Sequence, residues 1–135
     1  MKSILINIDV PDLKKGIIFY TQAFDLKIGR KFGDAGVELM GLPAPIYLLE
    51  KAEGTLPFPD ATEGRSYKRH WSPVHLDFVV MDIENTRESL LSLGAIEEDA
   101  VKIKKWGKIA MFRDPFGHGI CLIEFLGRGY DEIIN

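Results

Sequence analysis

Two alternating stretches carry the polar side chains best placed to do chemistry. In VHLDFVV, His75 and Asp77 stand two residues apart, so on a strand they share one face, and a carboxylate beside an imidazole can orient it as a general base. Two residues along a strand are about 7 Å apart, so the pairing runs either along that strand or to a neighbouring one. ILINIDV repeats the pattern with Asn7 and Asp9 and leaves the same choice open. Cys121 lies in the apolar string of Ile120, Leu122 and Ile123 with no cationic neighbour in sequence, which favours a small buried hydrophobe over a reactive thiol. YKRHWSPVH sets Arg69, His70 and Trp71 just ahead of His75, with Trp71 suited to floor a pocket or to pack at a subunit contact. Trp106 and Phe112 face the same choice. Arg113 reads as an anion partner or a solvated strand end, and His118 as an exposed turn residue.

The elements that must position these residues come in two similar sets. Ile4 to Val10 alternates as a strand, Asp12 is placed as a helix N-cap, and Leu13, Ile17, Tyr20 and Phe24 form one stripe of an amphipathic helix. VELMG and PIYLLE follow as strand pieces. Beginning at Val74 the order returns: a strand, Asp82 as cap, a helix through Ile83, Leu90, Leu91 and Leu93 ending at Gly94, then a hairpin in KIAMFRDPFGHGICLIEF. Its turn, Asp114-Pro115-Phe116-Gly117, has a type I signature. A shift of about 70 places Asn7 on Asp77 and Asp12 on Asp82, and one of about 74 places Tyr47 on Cys121 and Glu50 on Glu124. The chain is therefore expected to be α+β, with two βαβββ modules, mixed curved sheets and helices outside. The boundaries fall at about 1–53 for the first module, 54–72 for a linker, 73–128 for the second module and 129–135 for a C-terminal tail.

Composition bounds the function. The 135 residues, 46% hydrophobic and 27% charged, fit one compact domain without disulfides or a structural metal. A net charge of −3 supplies no basic field for nucleic acid or an anionic membrane. The apolar run in MKSILINIDV is too short for a signal sequence or a membrane span, and a single cysteine fits a reducing compartment, so a cytoplasmic protein is expected.

The duplicated unit, with DVPDLKKGIIFYTQAFDLKIGR, HLDFVVMDIENTRESLLSLGA and FRDPFGHGICLIEF, resembles the vicinal oxygen chelate superfamily over nearly the whole chain. That superfamily includes glyoxalase I, bleomycin-resistance proteins, fosfomycin-resistance enzymes and extradiol dioxygenases. The resemblance implies four divalent-metal positions, which fall here on Leu5, Tyr47, His75 and Cys121, where relatives carry His or Gln, Glu, His and Glu. Only His75 matches. Leucine offers no donor atom, a neutral phenol is a poor ligand, and a thiolate is too soft for Mn²⁺ or Mg²⁺. No cofactor is expected, with Zn²⁺ on His75, Cys121 and Tyr47 as the alternative. Glu50 and Glu124, an odd step beyond the metal positions, point to the other sheet face and read as strand-end surface.

The resemblance also turns Asn7, Asp9, Tyr47, His75 and Asp77 toward a concave face between the modules, with Trp71 and Cys121 beside them as ligand contacts. The first reading is a homodimer that binds a small organic molecule there, as bleomycin-resistance proteins do. The alternative is an enzyme of lyase, isomerase, dioxygenase or thiol transferase type acting through His75 with Asp77. A domain that only docks other proteins is the third.

Overall fold

The computed structural model describes residues 1–135, which divide into two compact units, Met1–Tyr67 and Lys68–Asn135. The first unit runs β1 (Ile6–Val10), α1 (Leu13–Phe24), β2 (Lys27–Phe32), β3 (Gly36–Met40) and β4 (Ile46–Glu50). The second runs β5 (Leu76–Val79), α2 (Ile83–Ser92), β6 (Ile96–Lys104), β7 (Gly107–Arg113) and β8 (Gly119–Phe125), closed by a 3₁₀ turn at Gly129–Glu132. Each unit holds one four-stranded mixed sheet, in the order β1-β4-β3-β2 and β5-β8-β7-β6, with the first pair parallel and the others antiparallel. These are the two βαβββ modules expected. The division falls within the proposed linker, but residues 51–67 are stitched to the first unit. Arg65 bridges Asp9 at 2.9 Å and donates to the Leu56 carbonyl, and the Tyr67 hydroxyl donates to the Lys51 carbonyl.

One face of each sheet lies under its own helix. In the first unit Val10, Ile46 and Leu48 take that face, with Phe19 and Tyr20 of α1 fully buried against the sheet side of the helix. Each such side chain contributes roughly 1.5–3 kcal/mol through burial. The buried stripe of α1 is Leu13, Gly16, Phe19, Tyr20 and Ala23, which corrects the expected Leu13, Ile17, Tyr20, Phe24. The reason is Gly16: a Cβ there would stand 3.1 Å from Val10 and 3.3 Å from Leu48, so the bare backbone docks onto the strands and rotates Ile17 to the margin.

The echo between PIYLLE and GICLIE has a structural cause. Glu50 at the end of β4 accepts the backbone N–H of Leu13 at 2.8 Å, and Glu124 near the end of β8 accepts that of Ile83 at 2.8 Å. Asp12 and Asp82 accept the N–H groups of Lys15 and Asn85, both at 3.1 Å. Two carboxylates per helix thus satisfy two of the four donors that a helix start leaves open and place negative charge at the positive end of its dipole. The two glutamates are not idle strand-end surface, as read from the sequence; the odd step aims each one beneath a helix N-terminus. Glu124→Ala or Glu50→Ala is expected to lower stability by about 0.5–2 kcal/mol, the usual value of a helix cap, measured as a reduced urea midpoint with unchanged slope.

Candidate functional site

Strand alternation sends every second residue to the face away from the helix, and the register lines these residues up across strands. In the first unit Asn7, Tyr47 and Glu38 fall in one row; in the second, Asp77, Cys121 and Met111 do. The two rows correspond under the repeat, yet they differ in what their side chains are free to do.

Tyr47 and Glu38 of the first row are closed into a network. Glu38, only 7% exposed, accepts from the Tyr47 hydroxyl at 2.6 Å, from Arg30 Nη2 at 2.7 Å and from the Arg30 backbone N–H at 3.1 Å. Arg30 Nη2 also reaches the Tyr47 oxygen at 3.0 Å. The register of β2 against β3 slips between Ile28 and Lys31, which frees that backbone N–H, and a Cβ on Gly29 would sit 2.6 Å from the Glu38 carboxylate. A bulge and a glycine therefore make the room. Hydrogen bonds from Arg30, then from Tyr47, hold the Glu38 carboxyl down at about 2 from 4.5, while the carboxylate raises both the Arg30 and the Tyr47 pKa. Sequence reasoning missed Arg30 and Glu38; the available signal was a lone glutamate inside the apolar GVELMG. As pH falls from about 4.5 toward 2, the unfolded chain takes up this proton before the folded one, so the group's stabilisation is present above that window and lost within it. Glu38→Gln is expected to flatten this acid limb, seen as a smaller difference in urea midpoint between about pH 6 and about pH 3.

The second row is open. His75 Nδ1 lies 2.9 Å from Asp77 Oδ1, so the pairing runs along the chain rather than across strands: His75 precedes β5, and the two side chains span the backbone spacing. Cys121 stands across from Asp77, and donor atoms of His75, Asp77 and Cys121 all lie within 4.8 Å of one another. Arg69 pairs with Glu98 at 2.7 Å, and its guanidinium covers Gly119, where a Cβ would come within 2.8 Å. Burial, then the Asp77 charge and its hydrogen bond, push the Cys121 thiol up to about 11, outweighing the Arg69 cation that sequence did not reveal. Cys121 is 6% exposed, the small buried group expected. Near pH 8, iodoacetamide should alkylate it much more slowly in the folded protein than in urea, and Asp77→Asn should speed the folded reaction.

The remaining candidates scatter. Asp9 is engaged by Arg65, and Asn7 is exposed. Leu5 is 56% and Trp71 82% exposed. Trp106 packs with Phe125 and Tyr130 in an aromatic cluster of the second unit, and Phe112 is wholly buried in its core. His118 is half-buried and faces His70, not an exposed turn residue.

Paired βαβββ modules with polar rows on the faces away from the helices define a protein of the vicinal oxygen chelate superfamily. The Glyoxalase-like domain family model matches residues 5–123, and the chain belongs to that family. Among solved structures it is similar to a mutant of the fosfomycin resistance protein FosX from Listeria monocytogenes, complexed with Mn(II) and 1S,2S-dihydroxypropylphosphonic acid. That match has 16% identity, 96% of this chain and 91% of that one, and a TM-score of 0.70. It is similar to a glyoxalase/bleomycin resistance protein/dioxygenase family enzyme from Burkholderia phytofirmans PsJN (15% identity, 90% and 97% covered, TM-score 0.67). Hypothetical protein SA1046 from S. aureus is likewise similar (21% identity, 92% and 97% covered, TM-score 0.67). Comparison with curated protein sequences found no match. No helix is long and apolar enough to cross a membrane.

The residues do not fit a hard divalent ion of the kind the Listeria structure holds. Leu5 has no donor, the Tyr47 hydroxyl is committed to Glu38 and Arg30, and the Cys121 sulfur is too soft for Mn²⁺. The His75–Asp77–Cys121 group brings three donor atoms together, and an imidazole with a sulfur suits Zn²⁺ better than Mn²⁺.

Proposed function

We infer that this glyoxalase-like domain binds a small organic molecule at the open row of its second unit, without the hard metal ion of its fosfomycin-resistance neighbours. One observation carries the reading: of the four positions that the resemblance assigns to the ion, only His75 offers a suitable donor, and the Tyr47 hydroxyl is already hydrogen-bonded to Glu38. The first unit's position is sealed by the Arg30–Glu38–Tyr47 network. An apolar buried thiol and Met111 beside an imidazole and a carboxylate give the second row both the contact surface and the orienting polar groups that small-molecule sites use. The dimeric habit of the superfamily extends the reading to a homodimer, and a cytoplasmic location fits its single reduced cysteine.

A second reading is favoured by the His75–Asp77 contact itself. With Nδ1–H donated to Asp77, the ring presents the Nε2 lone pair as a general base, and the carboxylate stabilises the imidazolium once a proton is taken. Enzyme and binding protein then share one site and differ in whether the bound molecule turns over.

Protein purified without chelators is expected to contain no stoichiometric manganese by elemental analysis, and thermal-shift responses to a library of small organic molecules should survive EDTA and disappear in His75→Ala. Stoichiometric Mn²⁺ whose removal abolishes those responses would overturn the metal-free reading. A ligand consumed by the wild type, and bound but not consumed by Asp77→Asn, would decide for the enzyme.

A further inference from the structure

His70 and His118, 48 residues apart, face each other within the second unit. Nε2 of His70 lies 3.4 Å from Nδ1 of His118, with ring centroids 5.3 Å apart and planes at 78°. That separation is long for a hydrogen bond to nitrogen. It matches what two imidazole nitrogens adopt around one tetrahedral ion, since two bonds of about 2.0–2.1 Å at the tetrahedral angle end roughly 3.3–3.4 Å apart.

The His70 ring and the His118 backbone are positioned before any ion arrives. Nδ1 of His70 is 2.9 Å from the Lys68 carbonyl oxygen, which only accepts, so the proton sits on Nδ1 and the Nε2 lone pair points at His118. A backbone carbonyl behind the ring is the outer-shell support that metal-bound histidines use. His118 is carried by the tight turn after β7. Its N–H donates to buried Asp114 Oδ1 at 2.9 Å, its carbonyl accepts from the Asp114 N–H at 2.8 Å, and the Phe116 N–H donates to the same carboxylate oxygen at 2.8 Å. The nearest sequence cation, Arg69, is neutralised by Glu98 at 2.7 Å, which reduces its repulsion of an incoming ion.

We propose that His70 and His118 form a binding site for a borderline divalent ion, Zn²⁺ or Cu²⁺, with water completing the coordination. The ion clips the segment that leads into His75 onto the β7–β8 turn. Imidazole pairs select these ions over Mn²⁺ and Mg²⁺. On binding, the proton now between the two nitrogens moves to Nε2 of His118. The site shares no residue with the His75–Asp77–Cys121 group.

The test is titration of tag-free, full-length protein with zinc sulfate by calorimetry, with Cu²⁺ electron paramagnetic resonance as a second readout. One Zn²⁺ per chain is expected. His70→Ala, an exposed position, and His118→Ala should each weaken it at least as much as the loss of an outer-shell partner does, about 10–100-fold. His75→Ala and Cys121→Ala should leave the affinity unchanged, and the Cu²⁺ spectrum should show nitrogen ligands that His70→Ala removes. Absence of saturable Zn²⁺ binding would overturn the proposal. So would binding that is lost in Cys121→Ala but kept in His70→Ala, a result that would instead place the ion on the row assigned to the small molecule.

Discussion

The two-faced character of each sheet governs everything else in this molecule. A strand residue faces either its own helix or the opposite side, and a single step in register exchanges the two. Because α1 and α2 claim the faces carrying Leu48 and Leu122, the positions between them are committed to the other face: Tyr47 and Cys121 on the central strands, with Asn7 and Asp77 across from them. The same alternation explains Glu50 and Glu124. Three residues past Tyr47 and Cys121, they return to the helix side and meet the first free N–H groups of α1 and α2. One periodicity thus anchors the helices and lays out the chemistry.

The repeat has diverged in opposite directions in its two copies. The first unit spends its row on a buried carboxylate bridged by a guanidinium and a phenol, a network in which every group has a partner. Removing Arg30 would leave the buried Glu38 carboxylate without its counter-charge, so such a network holds its geometry rather than offering it to a ligand. The second unit keeps an exposed imidazole oriented by a carboxylate, beside a thiol that burial keeps neutral. Likeness in fold to fosfomycin-resistance proteins at 16% identity extends to the framework, while the donors on that framework belong to this chain.

Much of this was legible before any coordinates. The alternation in ILINIDV and VHLDFVV, the caps at Asp12 and Asp82 and the Asp-Pro-Phe-Gly turn each rest on local rules, and local rules can be read from sequence. The edge strands β2 and β6 were harder to see. Every residue of β2 is exposed, so no apolar rhythm marks it. The stripe of α1 was misplaced because a glycine, which hydropathy ignores, makes the closest approach to the sheet. Trp71, attractive as a pocket floor on residue type alone, stands in solvent.

The sequence by itself determined the duplicated modules and, through the family resemblance, the poor donors at the expected metal positions Leu5, Tyr47 and Cys121, because residue types and spacing are local properties. Tertiary structure alone decided which polar groups became partners. Arg30 reaches Glu38 and Tyr47 through a bulge, Arg69 crosses to Glu98, and His70 meets His118 across 48 residues of chain. Pairing at such separations depends on strand register and turn geometry to within about an ångström, the tolerance of a hydrogen bond, and that is set only when the sheets form.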